Sequence, residues 1–267
     1  MPVALPWTLP STSSMGYWEI SERISLRWLP GPPSEDTTTL VINVGSFFVD
    51  LRIRHHDVPI DYEMQLREGI EWAMAGERQV LSQDPCEFYA IREVYFLIDT
   101  HIYVVKCRWI HIIDSRGHSE IPDEASFSKL PNGDVLERGR MPCPERGGEI
   151  TEYEEVWRVV EPLPGAKWAW ILQSEDGKSF LGRIGGTYIA MREGEEGKFA
   201  ARREEWDDDE GFWMSFWELG EPKVQRELPS LLRPQKQFFV GEGSWRTGHT
   251  VQISNRFYTV KAFEFIQ

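Results

Sequence analysis

The sequence is short of cysteine, of positive charge and of long apolar runs. Its three cysteines, Cys86, Cys107 and Cys143, are odd in number and widely spaced, which suits a reduced intracellular protein better than a disulfide framework. Lys and Arg total 29 against 43 Asp and Glu, a formal charge of −14. Such a surface attracts neither a phosphate backbone nor an anionic membrane, so the expectation is no nucleic acid and no membrane partner. No stretch approaches the roughly 20 apolar residues of a spanning helix. The segment MPVALPWTLPSTSS has no Lys or Arg ahead of its apolar residues, and Pro2, Pro6 and Pro10 interrupt any signal-like core, so the expected location is cytoplasmic.

Catalytic signatures are equally scarce. The chain has no G-x-S-x-G elbow, Walker loop, G-x-G-x-x-G, H-E-x-x-H or C-x-x-C, which removes most support for conventional hydrolases, kinases and dehydrogenases. Adjacent His55 and His56 would face opposite ways on a strand and cannot readily chelate one ion. The acidic run Asp207 to Glu210 lacks the oxygen spacing of a calcium loop. No metal and no cofactor is expected.

What the chain does have is 34 aromatic residues, 12 of them Trp, set in short segments of β character. Ile24 to Leu29, Thr37 to Arg54, Glu93 to Asp99 and Ile102 to Asp114 are rich in β-branched and aromatic residues and read as strands. A Pro, Gly and charge-rich run from Arg138 to Glu149 suggests a boundary. The pattern then resumes over Glu152 to Leu163, Trp168 to Gln173, Ser179 to Ile184, Thr187 to Glu193 and Lys198 to Trp206. Asp176-Gly177 and Ser254-Asn255 mark hairpins. Helical periodicity is confined to short pieces near Tyr62 to Gly69 and Pro229 to Leu232. The expected fold class is therefore all-β with minor α, as two tandem antiparallel β-barrels over residues 15–140 and 149–267.

Three segments carry a family likeness: IEWAMAGE (Ile70 to Glu77), YEEVWRVVEP (Tyr153 to Pro162) and GHTVQISNRFYTVKAFEF (Gly248 to Phe265). With them the chain resembles, from about residue 17 onward, the fungal Hri-type family, whose yeast founder was named for interacting with a casein-type kinase. The resemblance implies two calycin/lipocalin-like barrels and brings no enzyme activity. In length, acidity and organisation the chain is also similar to the calycin-like hetero-Diels-Alderases of fungal tropolone sesquiterpenoid pathways. That second resemblance implies a cofactor-independent cyclase joining a tropolone quinone methide to a humulene-type terpene.

Candidate site residues follow from strand parity. Tyr103, Val105, Cys107, Trp109, His111 and Ile113 share one face of a regular strand, which places the titratable His111 beside the aromatic walls of Tyr103 and Trp109. His111, or Tyr103, is the candidate for proton transfer; the commonplace alternative is a histidine bonded at a barrel rim. Arg52 and Arg54 share a face and present guanidinium forks suited to the paired oxygens of a tropolone, although exposed strand arginines are common. Trp28 is a further wall candidate. Asp99 could position water or merely cap a turn. Binding two reactants in register can remove roughly 7 to 11 kcal/mol of barrier without a nucleophile, so the cyclase is the leading expectation, with hydrophobic small-molecule substrates and a homodimer left open. The alternative is a non-catalytic Hri-type protein that binds a protein partner or an apolar small molecule.

Overall fold

The computed structural model describes residues 17–55, 69–85, 103–232 and 241–266. Within them, alternation of apolar and polar residues produces fifteen strands. Eight form a closed antiparallel barrel in sequence order: β1 (Trp18–Trp28), β2 (Thr37–Val44), β3 (Phe47–Arg54), β4 (Ile70–Pro85), β5 (Tyr103–Asp114), β6 (Asp123–Lys129), β7 (Val135–Cys143) and β8 (Glu149–Val160). The other seven are β9 (Trp168–Ser174), β10 (Ser179–Ile184), β11 (Thr187–Glu193), β12 (Phe199–Asp207), β13 (Phe212–Gly220), β14 (Thr250–Ile253) and β15 (Arg256–Phe265). They make a sheet in the order β13-β12-β11-β10-β9-β15-β14. The one α-helix among the described residues, α1 (Pro222–Gln225), is a single turn.

The all-β expectation holds, with corrections. The barrel is single: among the described strands β13 and β14 stand at opposite edges of the second sheet and do not pair. The run Thr37 to Arg54 is two strands, because Gly45 takes φ +58° and turns the chain into a hairpin. The expected boundary at residues 141–148 also moves. β8 pairs with both β7 and β1 and closes the barrel, so the Pro- and Gly-rich run is a hairpin, with Gly147 at φ +65° and Gly148 at φ +87°. The chain crosses to the second sheet through Glu161 to Lys167. Pro229 to Leu232 is not helical. The expected strand Glu93–Asp99 and the segment from Tyr62 lie outside the described residues.

One apolar core joins the two sheets. Ile20, Leu40, Ile42, Val49, Leu51, Ile53 and Ile113 project from the outside of the barrel onto Ile171, Phe180, Ile184, Ile189 and Met191 of the seven-stranded sheet. Gly182 permits the close approach: a Cβ there would lie 3.2 Å from Val49 Cγ2 and 3.4 Å from Ile42 Cγ2. The sheet's other face buries Trp170, Tyr188, Tyr258 and Val260 with Val224, Leu228 and Trp245. Strand parity then forces the complementary residues of β1 to β3 inward. Many of those residues are polar: Glu19, Ser21 and Arg23 alternate with Ile20, and Asp50 and Arg52 alternate with Val49, Leu51 and Ile53, while Val41 and Phe48 also face inward.

Candidate functional site

The barrel interior holds a cavity of about 60 Å³, room for a handful of water-sized groups. Its lining mixes charge with aromatic rings: Glu19, Asp50, Arg52, Arg78, Asp123, Glu137 and Glu155 with Phe48, Trp72, Trp109, Phe127, Tyr153 and Trp157. Burying so many charges is costly unless they are paired, and most are. Arg23 donates to Glu155 at 2.7 Å, Glu35 at 2.8 Å and Thr37 at 2.9 Å. Arg52 donates to Asp50 Oδ2 at 2.9 Å and Glu155 at 3.1 Å, and its guanidinium lies 4.9 Å from the Trp72 ring and 5.8 Å from Trp157. Burial works against the Arg52 charge, but Asp50 and Glu155 outweigh it and hold the group protonated.

Glu137 accepts from the Tyr153 hydroxyl at 2.7 Å and Trp157 Nε1 at 2.8 Å. Burial, then the charge of Glu155, pushes its carboxyl well above the usual range. Tyr153 can reach it because Gly139 is beneath: a Cβ there would sit 2.6 Å from the tyrosine oxygen. Arg78 donates to the Tyr17 hydroxyl at 3.4 Å and stacks on that ring at 4.9 Å. Glu19 accepts from Ser21 at 2.8 Å through Oε1, and burial raises its pKa to about 7. Two oxygens of these side chains, Glu19 Oε2 and Asp50 Oδ1, are packed away from solvent without a hydrogen-bond partner.

His111 sits beside the cavity in a second cluster. Its Nδ1 lies 2.6 Å from Asp114 Oδ2 and its Nε2 3.0 Å from Asp123 Oδ2, while Trp72 Nε1 donates to Asp114 Oδ1 at 2.8 Å. Burial lowers the His111 pKa, but the bonds to Asp114 and Asp123 prevail and raise it to about 9, so the ring is an imidazolium at neutral pH. A β-bulge makes this possible. His111 pairs with Gly76 and Ile113 with Ala75, leaving Ile112 as the extra residue. A Cβ at Gly76 would lie 1.9 Å from the Ile110 carbonyl oxygen, so only glycine fits. The bulge corrects the expected common face of β5: His111 turns toward the interior and Ile113 outward into the inter-sheet core.

The expected site residues are thus partly brought together. Arg52 and Trp109 line the cavity; His111 is its neighbour, with Trp72 5.8 Å away between ring centres. Trp28 packs edge-on against Tyr153 at 6.1 Å and contributes to the wall through it. Arg54 is exposed at the end of β3 and is not part of the lining, because the barrel ends there. Tyr103 opens β5, with its side chain outside the described residues, as is Asp99. Sequence reasoning missed Glu19, Asp50, Glu137, Tyr153 and Glu155. A signal is present for Asp50, which with Arg52 alternates with the apolar Val49, Leu51 and Ile53; around Glu19 and Glu155 the neighbouring Glu22 and Glu154 blur it.

A family model described as Protein HRI1 matches residues 19–257. The chain belongs to the HRI1 family. No curated protein matches the sequence. Among solved structures, the crystal structure of the uncharacterized protein YLR301w from Saccharomyces cerevisiae superposes with a TM-score of 0.63 at 16% identity, covering 92% of this chain and 99% of that one. This likeness shows that the fold is shared across nearly the whole of both chains. No helix among the described residues is long and apolar enough to cross a membrane.

Proposed function

We propose that this HRI1-family protein is a binding protein that encloses a small polar molecule in its closed barrel. The carrying observation is the cavity itself, walled by aromatic rings together with ion-paired arginine and carboxylate side chains. The wall chemistry moves the ligand class away from the hydrophobic molecules expected from aromatic content: an apolar guest would displace water from the charged side chains of the lining without replacing its hydrogen bonds. Action in the cytoplasm, on a small molecule rather than a nucleic acid or membrane, belongs to the same proposal.

The cyclase is the second reading. The observation that favours it is Arg52 lying on the rings of Trp72 and Trp157, where a donor to tropolone oxygens would stand. It requires more of the site than binding does. Arg52 must exchange Asp50 and Glu155 for substrate, His111 must leave its two carboxylates, and a cavity of about 60 Å³ must open for two reactants.

A thermal-shift screen of small polar compounds against the native protein and Met141→Trp tests the binding reading. Met141 is a half-buried lining residue, so the indole fills the cavity from its wall. Compounds that raise Tm only in the native protein support enclosure; the absence of any such compound removes it. Product formation from a hydroxymethyl tropolone and humulene, compared with heat-denatured protein by chromatography and mass spectrometry, tests the cyclase. An unchanged product profile removes that second reading.

A further inference from the structure

Resting on the reading of the barrel as an enclosure for a small molecule, we propose that its cavity is entered from the side, through a notch in the wall between β5 and β7, and that His111 latches the β5–β6 loop, residues 115–122, across that entrance.

The notch follows from unequal strand lengths. β5 pairs with β6 from Val105–Phe127 to Trp109–Asp123, and β6 pairs with β7 from Lys129–Val135 to Ala125–Gly139. β6 begins at Asp123, yet β5 runs on to Asp114 and β7 to Cys143, each supported on its other side by β4 and β8. Without the intervening strand the two backbones stand two strand spacings apart, roughly 10 Å. The cavity reaches this break: Trp109, Asp123 and Met141 line it, border the notch and are half-buried.

The loop across the notch is fastened unevenly. At its start Ser115 exchanges hydrogen bonds with the Ala73 backbone, both at 2.9 Å, and Arg116 pairs with Glu71 and covers the Trp72 ring at 4.3 Å. From Gly117 to Pro122 every residue is exposed. The described hydrogen bonds there are local: the Gly117 N–H donates to the Asp114 carbonyl and the Ile121 N–H to Ser119 Oγ, each at 3.1 Å. His111 joins the two ends. Its imidazolium donates through Nδ1 to Asp114, where the loop leaves β5, and through Nε2 to Asp123, where it enters β6. The rings of Trp72 and Phe48, 5.8 and 6.0 Å away between centres, hold the imidazolium in place. The Asp123 bond is the weaker of the two, longer at 3.0 Å against 2.6 Å and on a side chain 25% exposed against 4%, where water competes for it. Breaking it frees residues 117–122 while Ser115 and Arg116 remain as the pivot, and the notch opens without loss of any β4–β5 pair.

Cys107 reports entry. Its thiol is 1% exposed in the interior apolar cluster, on the β5 face that carries Trp109, and the charges acting on it are Arg78 and Glu137 rather than Asp123. The experiment measures the rate of Cys107 alkylation by iodoacetamide, by peptide mass mapping, in the native protein, Asp123→Ala and Arg158→Ala. The last removes a surface ion pair with Asp134 beside the other end of β7. The expected result is alkylation with a shallow dependence on urea, the mark of local opening, accelerated about tenfold by Asp123→Ala and unchanged by Arg158→Ala. Asp123→Asn replaces the alanine variant if that one unfolds. Alkylation that follows global unfolding in urea, a rate indifferent to the loss of Asp123, or equal acceleration by Arg158→Ala overturns the entrance. Because the probe is a thiol reagent rather than a ligand, these rates and the thermal-shift screen fail separately: an empty screen removes the binding reading, and unaltered rates remove the entrance.

Discussion

The two surfaces of the barrel wall have opposite characters. Its outer face along β1 to β4, joined by Ile113 of β5, is aliphatic and nearly solvent-free against the second sheet, with Ile42, Val44 and Val49 at 0% exposure. Its inner face carries arginines, carboxylates and a tightly held histidine around a small cavity. In a small barrel the interior is ordinarily the packed core. Here the larger apolar cluster lies outside, on a partner sheet, and the interior combines a smaller one, Val105, Cys107, Ala125, Phe127, Val135 and Trp157, with polar chemistry. The difference teaches that burial and hydrophobic packing are separable: Glu155 is as inaccessible as Leu51, each at 1% exposure, yet one anchors arginines and the other fills space.

The contrast can be broken from the inside first. Arg52→Ala strands Asp50 and leaves Glu155 with Arg23 alone; a loss of about 3–5 kcal/mol of unfolding free energy is expected in urea titration, whereas a loss below about 1 would mean that the interior network contributes little. From the outside, Ile42→Ala opens a cavity between the sheets and should cost roughly 3 kcal/mol by the same measurement, with ligand binding retained.

A pH titration sharpens the inner side. The folded pKa of His111, about 9, lies above its ordinary 6.5, so its stabilising contribution is complete below about pH 6.5 and disappears as pH rises through 9. The expected fall in stability across that window is at most roughly 3 kcal/mol. His111→Gln should flatten the profile there, and an unchanged profile would show that the histidine is not held by the two aspartates. Glu19 adds a separate fall between its ordinary 4.5 and about 7, because its folded form favours the proton. The smallest effect is expected for Gly182→Ala, where a Cβ meets only the methyl groups of Val49 and Ile42: about 1 kcal/mol by thermal unfolding, without change in ligand affinity.

The strands of the second sheet were the most legible. β9 to β12 follow β-rich runs, and the Asp176-Gly177 signal coincides with the β9–β10 hairpin, where Gly177 has φ +72°. The barrel was harder to read because its punctuation misleads. Pro142, Pro144, Gly147 and Gly148 look like a linker and make a hairpin, while the true crossing, Glu161-Pro-Leu-Pro-Gly-Ala-Lys167, carries a similar composition. Site residues suffered from a different ambiguity. Alternation reveals two faces but not which of them is inside, and apolar parity suggested an apolar interior. A second sheet claiming the apolar face is a tertiary fact absent from any single strand. Likewise the bulge at His111 depends on Gly76, 35 positions earlier, and no local pattern around β5 announces it.

Closure of the barrel by β1 and β8 has a consequence for how the protein is made. Arg23 and Glu155 are 132 residues apart in sequence, so the first strand waits for the eighth before its charged side chains find partners. Contacts of such long sequence separation form slowly, and during synthesis β1 emerges long before its closing neighbour exists. The aliphatic stripe destined for the second sheet waits longer still, until β9 to β11 have followed. The nascent N-terminal half therefore carries an exposed greasy edge through most of translation, and a holding chaperone acting at that stage would recognise the stripe of Ile20, Leu40, Ile42, Val49 and Leu51.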